Sequence, residues 1–167
     1  DLAAKGPGYQ IRMDGKVASR QTDKPVYYIS IDANDLPLDA TLRQSLPEQY
    51  RALYERLDIN GFADVRARVF TNNDANRPEP ISFLADVSLD KASLKMDELP
   101  GVVSDLSAEV SVTPDSVSIR KSAGRYGHGD VTVNGGMQFA REESARYYHL
   151  SVATKGSAVG MTPMRMW

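Results

Sequence analysis

Apolar and polar residues alternate along most of the chain, and this period of two predicts β-strands. The alternation is cleanest over residues 62–70, where alanine and valine alternate with aspartate and arginine. The same pattern recurs at 10–17, 26–33, 81–89, 94–96, 106–112, 117–119, 131–133, 137–139 and 148–152. Strands with one apolar face, joined by short turns such as Pro114-Asp115, indicate an antiparallel meander. The predicted class is therefore mainly β (β-rich α+β).

One helical segment interrupts the strands. Asp39 is a predicted cap for a short turn through 41–43. Ser45 and Glu48 have the spacing of a capping box for a second helix, with Pro47 in its first turn. We expect this short helical pair to pack on the apolar face of a curved sheet or to cap it.

The second helix should have one apolar face. Its apolar residues recur at helical spacing and should be largely buried: Tyr50, Leu53, Tyr54 and Leu57. Glu48, Arg51 and Glu55 should face solvent. Asn60-Gly61 is expected to end the helix.

Two stretches near the ends of the chain resemble each other. Gly15 and Gly135 are 120 positions apart, as are the pairs Tyr27-Tyr28 and Tyr147-Tyr148. Asp14-Gly15 and Asn134-Gly135-Gly136 each predict a turn between strands. A repeat of about 120 residues would explain the match, and two unrelated hairpins of similar chemistry would also explain it. We predict one module over 1–155 and a tail at 156–167, which begins the next unit or is an unrelated remnant.

Composition narrows the function classes. The 167 residues suit one domain, and the net charge of −2 provides no basic field for nucleic acid. The absence of cysteine removes disulfides, thiolate metal sites and cysteine nucleophiles. No apolar run approaches the roughly 18 residues needed to span a bilayer. We therefore expect the segment to be soluble, with any anchor or export signal of the parent protein outside it.

Residues that resemble sites have simpler explanations. His128 and His149 lack convergent partners for a metal or for acid–base chemistry. The oxygen-rich residues at 32–39 lack the glycine and the distant glutamate of a calcium loop. The basic residues at 66–68 and 120–125 are interspersed with acids, which favours a solvated face over binding of acidic headgroups. We predict no enzyme activity, no metal and no cofactor.

Two longer segments carry a family resemblance. The stretch "YYISIDANDLPLDATLRQSLPEQYRALYERLDINGFADVRARVF" (27–70) resembles the repeating unit of AsmA-like envelope proteins. The stretch "LSAEVSVTPDSVSIRKSAGRYGHGDVTVNGGM" (106–137) is similar to the family's strands that end in a glycine-rich turn. The C-terminal "MTPMRMW" departs from the expected continuation. The resemblance covers roughly 10–155.

The resemblance implies a location and a partner. AsmA-like proteins, and the related TamB-like proteins, have a long twisted β-sheet with an apolar groove in the bacterial envelope. The resemblance thus implies a periplasmic module of a parent chain tethered to the inner membrane, with lipid acyl chains carried along the groove. It also implies neighbouring repeats of the same chain as partners.

The apolar stripe of the strands is the candidate binding site. Burial of each acyl methylene stabilises by about 0.8 kcal/mol, so a continuous apolar trough can hold lipid without a specific residue. The residues expected to line the groove are Val65, Val69, Phe83, Val87, Val110 and Val117. The alternative is that this stripe is simply core beneath the helix at 46–57. A structural or protein-binding β module, which self-associates through its sheet edges, is the second functional hypothesis.

Overall fold

The protein forms one antiparallel sheet of nine strands that follow each other in chain order and do not close into a barrel. The computed structural model describes residues 2–6, 8–18, 26–72, 81–95, 101–138 and 147–155, except for the side chains of Gln49, Leu53, Tyr147, Tyr148, Leu150 and Val152. The predicted β-rich meander with a short helical pair is confirmed. The strands are β1 (Leu2–Gly6), β2 (Tyr9–Ala18), β3 (Val26–Pro37), β4 (Asn60–Thr71), β5 (Ile81–Lys95), β6 (Val102–Val112), β7 (Ser116–Tyr126), β8 (Gly129–Gln138) and β9 (Tyr147–Lys155).

The strand register divides the sheet into an apolar and a polar face. Paired residues in neighbouring strands project to the same side, so rows of side chains run across the sheet. One row joins Val65 of β4 to Val87 of β5 and Val110 of β6. The adjacent row on the opposite side joins Arg66 to Asp86. We call these two sides the apolar face and the polar face.

Bulges interrupt the alternation in four strands. A residue with φ near +50° lies at each register shift: Asp35 in β3, Lys91 in β5, Asp105 in β6 and Lys121 in β7. A bulge adds one residue to a strand and so reverses the alternation beyond it. In β5 the buried residue Leu89 is followed by the buried Ala92, three positions on. The bulge thus keeps both residues on the apolar face.

At two of these bulges, side chains form hydrogen bonds with backbone groups where the regular pairing of the strands is interrupted. The buried Ser122 hydroxyl, next to Lys121, donates to the carbonyl of Val133 and accepts from its amide. The Asp64 carboxylate accepts from the backbone N–H of Asp35 at 3.0 Å. The Ser122 bonds matter most, because an unpaired buried backbone group costs about 1–3 kcal/mol, whereas Asp35 is exposed.

The helical pair consists of α1 (Ala40–Ser45) and α2 (Glu48–Leu57). Asp39 caps α1 as predicted, because its Oδ1 accepts from the amides of Thr41 and Leu42 at 2.9 and 3.0 Å. The predicted capping box is wrong. Ser45 belongs to the last turn of α1, where its hydroxyl donates to the carbonyl of Leu42 at 2.7 Å.

Proline explains where one helix ends and the next begins. The residue before a proline is driven out of the helical region, and Leu46 has ψ 143°, which ends α1. Pro47 takes the N-cap position of α2 without a side-chain cap. The predicted stop at Asn60-Gly61 is also wrong. Asp58 is the left-handed cap at the C-terminus of α2, and Asn60 already belongs to β4.

Both stretches of the predicted repeat are antiparallel strand pairs, β2–β3 and β8–β9. The glycines predicted to turn the chain, Gly15 and Gly135, instead lie inside β2 and β8, so those turns are wrong. The next residue of β8, Gly136, shows why a glycine can be needed inside a strand, because the backbone of β7 lies close to it. A Cβ on Gly136 would lie 2.8 Å from the carbonyl oxygen of Val117.

The registers of the two strand pairs differ by one residue. Gly15 pairs with Ile29, whereas Gly135 pairs with Leu150, one position beyond a spacing of 120. The aliphatic residues of the two pairs therefore correspond, but Tyr27 corresponds to Tyr148 rather than to Tyr147. The two stretches therefore share antiparallel pairing but not register, which contradicts a repeat with a constant spacing of 120 residues. The connecting residues 19–25 and 139–146 lie outside the described part.

The core lies beneath the helices and beside the bulges. Its buried residues are Leu38, Ala63, Leu89, Ala92, Val103, Leu106, Ala108 and Val131. Leu42, Tyr54 and Ile59 pack against this cluster from the helical segment. The helix therefore covers the middle strands of the apolar face, as expected.

Burial within α2 is shallower than predicted. Tyr50, Tyr54 and Leu57 are half-buried rather than largely buried, and the side chain of Leu53 lies outside the described part. Glu48 and Glu55 are exposed as expected. Arg51 is half-buried instead of solvated, because its guanidinium donates to the carbonyls of Gln44 and Leu46.

The bulge in β5 yields a stability prediction. Lys91→Gly should raise the free energy of unfolding by about 0.5–1 kcal/mol, because glycine adopts a positive φ without the steric cost borne by lysine. Lys95→Gly is the control, at an exposed residue of the same strand without a positive φ. It should lower the free energy of unfolding by about 0.5–1 kcal/mol. Urea unfolding measures the free energy of unfolding of both variants. An equal decrease in the two variants would show that the backbone at Lys91 is unstrained.

Candidate functional site: the apolar face

The six residues predicted to line a groove lie on one face of the sheet. Val65, Val87 and Val110 form one row across β4, β5 and β6. Val69 pairs with Phe83 one step along the strands. Val117 of β7 pairs with Val112 of β6, which in turn pairs with Ala85 of β5. Strand alternation thus brings the six together as rows on a single surface.

The accessibility of these residues is uneven. Val65, Val69, Phe83, Val87 and Val110 are half-buried and therefore partly reachable from solvent. Val117 is only 9% exposed. Val117 is therefore the least accessible of the six, and its neighbours across the strands are Val112 of β6 and Met137 of β8.

Helix α2 covers part of the face directly. The rings of Tyr50 and Phe83 meet edge to face, with centroids 6.0 Å apart and planes at 73°. The Tyr50 hydroxyl donates to the carbonyl oxygen of Thr113, in the β6–β7 turn, at 3.1 Å. Phe83 is thus a contact of the helix as well as a member of the stripe.

The apolar face extends beyond the helices towards β1. Met13 of β2 pairs with Ile31 of β3 and with Leu2 of β1. Leu2 is 70% exposed, Met13 is 37% exposed and Val17 is 65% exposed. Ile29 and Ile31 are half-buried. We call the apolar face of β1, β2 and β3 the open flank. Sequence reasoning missed it as a site, although the alternation of residues 10–17 signals it.

Two polar side-chain atoms of α2 are buried without a hydrogen-bond partner in the described part of the chain. They are Nε of Arg51 and the hydroxyl oxygen of Tyr54. Desolvation, followed by the negative charge of Asp39, raises the pKa of Tyr54 above its usual value. Tyr54 therefore stays protonated, and its hydroxyl remains a hydrogen-bond donor over the physiological pH range.

The polar face carries paired charges. Arg120 lies 3.7 Å from Asp86 and donates to the Ser111 hydroxyl, while Lys121 lies 3.3 Å from Glu109. An open depression of about 500 Å³ is lined by charged residues of β4 to β7, with Asp64, Arg66 and Arg68 among them, and also by Leu84, Val87, Ser88 and Val110. Exposed charges that neutralise one another are typical of a solvated face, which is the interpretation favoured from the sequence.

Other classes of site receive little support from the geometry. Within the described ranges, no group of three or more histidine, aspartate or glutamate residues is placed to hold a metal ion. His128 and His149 are exposed. Neither α1 nor α2 has the length and apolar character of a bilayer-spanning helix.

The two tyrosines of α2 should respond oppositely to loss of their hydroxyls. Tyr54→Phe should raise the free energy of unfolding by about 1 kcal/mol, because it removes a buried donor without a partner. Tyr50→Phe should lower it by about 0.5–1.5 kcal/mol, because the bond to Thr113 is lost. Chemical denaturation at neutral pH measures both, and a loss in the Tyr54 variant would show that its hydroxyl is satisfied.

The raised pKa of Tyr54 predicts a pH dependence. Because the folded-state pKa lies above that of the unfolded chain, the unfolded state releases this proton first as the pH rises. The stabilising contribution is complete below roughly pH 10, the usual tyrosine value, and is lost above it. Alkaline titration of stability should show a smaller loss in Tyr54→Phe than in the parent, and identical profiles would contradict this assignment.

The geometry brings together five partly reachable residues of the predicted groove and adds an open flank at β1 to β3. The predicted family, location and lipid partner rest on the resemblance stated above. Compared with protein-family models, curated proteins and solved structures, the chain matches none of them.

Proposed function

We propose that this chain is a non-enzymatic module whose apolar sheet face binds lipid hydrocarbon and shields it from water. The observation that supports this proposal is the open flank, where Leu2, Met13 and Val17 stay exposed on the same face as the core. A sheet face that served only as core would be expected to be covered, because exposed contiguous apolar surface is unfavourable in water.

The dimensions of the open flank suit an acyl chain. Strand β2 has ten residues and spans about 33 Å at 3.3 Å per residue. A lipid tail reaches half the hydrocarbon core of a bilayer, about 15 Å. A tail lying along β2 and β3 would therefore be accommodated within the length of the strands. Each buried methylene adds about 0.8 kcal/mol without a specific polar contact.

The resemblance to AsmA-like and TamB-like proteins supplies the proposed setting. On that basis the module belongs to a longer protein in the bacterial envelope, with its parent tethered to the inner membrane and this part in the periplasm. Neighbouring repeats would then extend the same apolar face, so that lipid passes along it between membranes.

A structural, protein-binding module is the second candidate. The observation that favours it is the open sheet, in which β1 and β9 each pair on one side only within the described residues. Free strand edges accept further strands from another chain or another copy. Concentration-dependent self-association without any bound lipid would favour this candidate.

Two matched substitutions test the lipid proposal. Met13 lies on the apolar face and Phe70 on the polar face, and each is 37% exposed. Met13→Asp should weaken binding of a fluorescent long-chain fatty acid about tenfold, because a charge at the flank opposes burial of hydrocarbon. Phe70→Asp should leave the affinity unchanged. Mass spectrometry of lipid extracted from the purified proteins should show the same difference.

The controls separate a binding effect from unfolding. Both variants should keep the far-ultraviolet circular dichroism of the parent, since both positions are partly exposed. Equal affinities in the parent and both variants would exclude the open flank as the binding surface. Absence of bound fatty acid and of copurifying lipid in the parent would overturn the lipid proposal.

A further inference from the structure

The helical pair lies over the middle of the apolar face, and we propose that α1 and α2 form a lid that lifts to admit a lipid between α2 and the sheet. This inference rests on the proposed function and extends it. It assigns a second binding surface, beneath α2, to an amphipathic lipid whose head carries hydrogen-bond acceptor oxygens.

The two ends of the helical segment are joined by a backbone hydrogen bond, so the helices form a connection that begins and ends at one place on the sheet. The backbone N–H of Leu38, just before α1, donates to the carbonyl of Gly61 at the start of β4 at 2.9 Å. Leu38 is buried in the core and anchors this point. The chain therefore enters and leaves the helical pair at neighbouring positions. The pair can move as one body while the strand ladder stays intact.

A left-handed residue ends the lid on its C-terminal side. Asp58, the residue that follows α2, has φ 36°. Such a conformation is strained in residues other than glycine and persists where surrounding contacts impose it. A change of φ at Asp58 would release the strain and reorient α2 relative to β4. Asp58 is therefore the expected hinge, whereas the left-handed Asp35 lies inside β3, before paired residues, and stays with the sheet.

The closed lid has a shallow hold on the sheet. Helix α1 has no buried residue, and Tyr50, Tyr54 and Leu57 of α2 are half-buried. At the far end of the lid, Tyr50 holds the sheet through the Phe83 ring and the Thr113 carbonyl. Opening would break these contacts and uncover the ring of Phe83.

The closed state also leaves two donors unsatisfied. Arg51 Nε and the Tyr54 hydroxyl are buried without a partner in the described chain. A lipid carboxylate, phosphate or ester oxygen would accept from such donors. Burial of a donor without a partner is unfavourable, so binding of an acceptor at this place favours the occupied state over the empty closed one.

A reversible cross-link tests the lid. The chain has no cysteine, so Tyr50→Cys with Thr113→Cys provides a unique thiol pair across the helix–sheet contact. A bis-maleimide with a disulfide in its spacer would replace the tyrosine side chain in bridging the gap. We expect the cross-linked protein to take up cis-parinaric acid at least tenfold more slowly than the same protein after reduction of the spacer.

Each outcome of the cross-linking experiment discriminates between the two proposals. Equal uptake before and after reduction would overturn the lid and leave binding at the open flank intact. Failure of the unmodified chain to bind cis-parinaric acid at all would overturn the proposed function and the lid with it. A decrease on cross-linking that reduction reverses supports both.

Hydrogen exchange supplies a readout that needs no ligand. Amides of α2 should exchange faster than amides of β5 in the free protein, and the cross-link should slow exchange in α2 selectively. Exchange of α2 as slow as that of β5 would exclude opening of the lid.

Single substitutions in α2 should shift uptake in opposite directions. Tyr50→Phe keeps an aromatic ring beside Phe83 but loses the bond to Thr113, so uptake should accelerate by about two- to tenfold. Tyr54→Phe removes an unsatisfied donor from the closed state, so uptake should slow by a similar factor. Changes of the same sign in the two variants would contradict the lid.

Discussion

The side-chain period of two is the constraint on which this structure depends. In a regular strand a slip of one residue turns every apolar side chain from the core to water. Strand β5 carries apolar residues in two phases, with Val87 and Leu89 in one and Ala92 and Leu94 in the other. The bulge at Lys91 reconciles the phases, so that one apolar face continues along 15 residues.

The same bulges determine where the core and the helices lie. Strands β6 and β7 change phase at Asp105 and Lys121, and the buried cluster lies around these positions. Bulges disturb the ladder, and Ser122 restores it with a hydroxyl that bonds both backbone groups of Val133. The helical pair joins the sheet at the same level, through Leu38. The buried core and the attachment of the helical pair thus both lie beside the bulges.

The two faces of the sheet differ in what stabilises their side chains. Charges on the polar face neutralise each other, as Arg120 does with Asp86, and water solvates the remainder. The apolar face is buried at its centre and exposed at β1 and β2. This gradient is the physical basis of the proposed lipid binding, because hydrocarbon gains most where apolar surface is still in contact with water. The helices cover the centre of the apolar face, which is the second surface proposed to bind lipid, besides the open flank.

Alternation along the chain was enough to predict the β-rich meander and the common face of Val65, Val69 and Val87, since each strand's pattern is local. The cap of α1 by Asp39 was equally local. The turns assigned to Gly15 and Gly135 failed, because strand pairing overrides a local turn preference, and the capping box at Ser45 failed because Pro47 separates the helices. Only the tertiary structure decided that β6 and β8 bury Val117, that Tyr50 covers Phe83 and that Met13 stays exposed. Those outcomes depend on which strands are neighbours and where the helices lie, and residues far apart in the chain determine both.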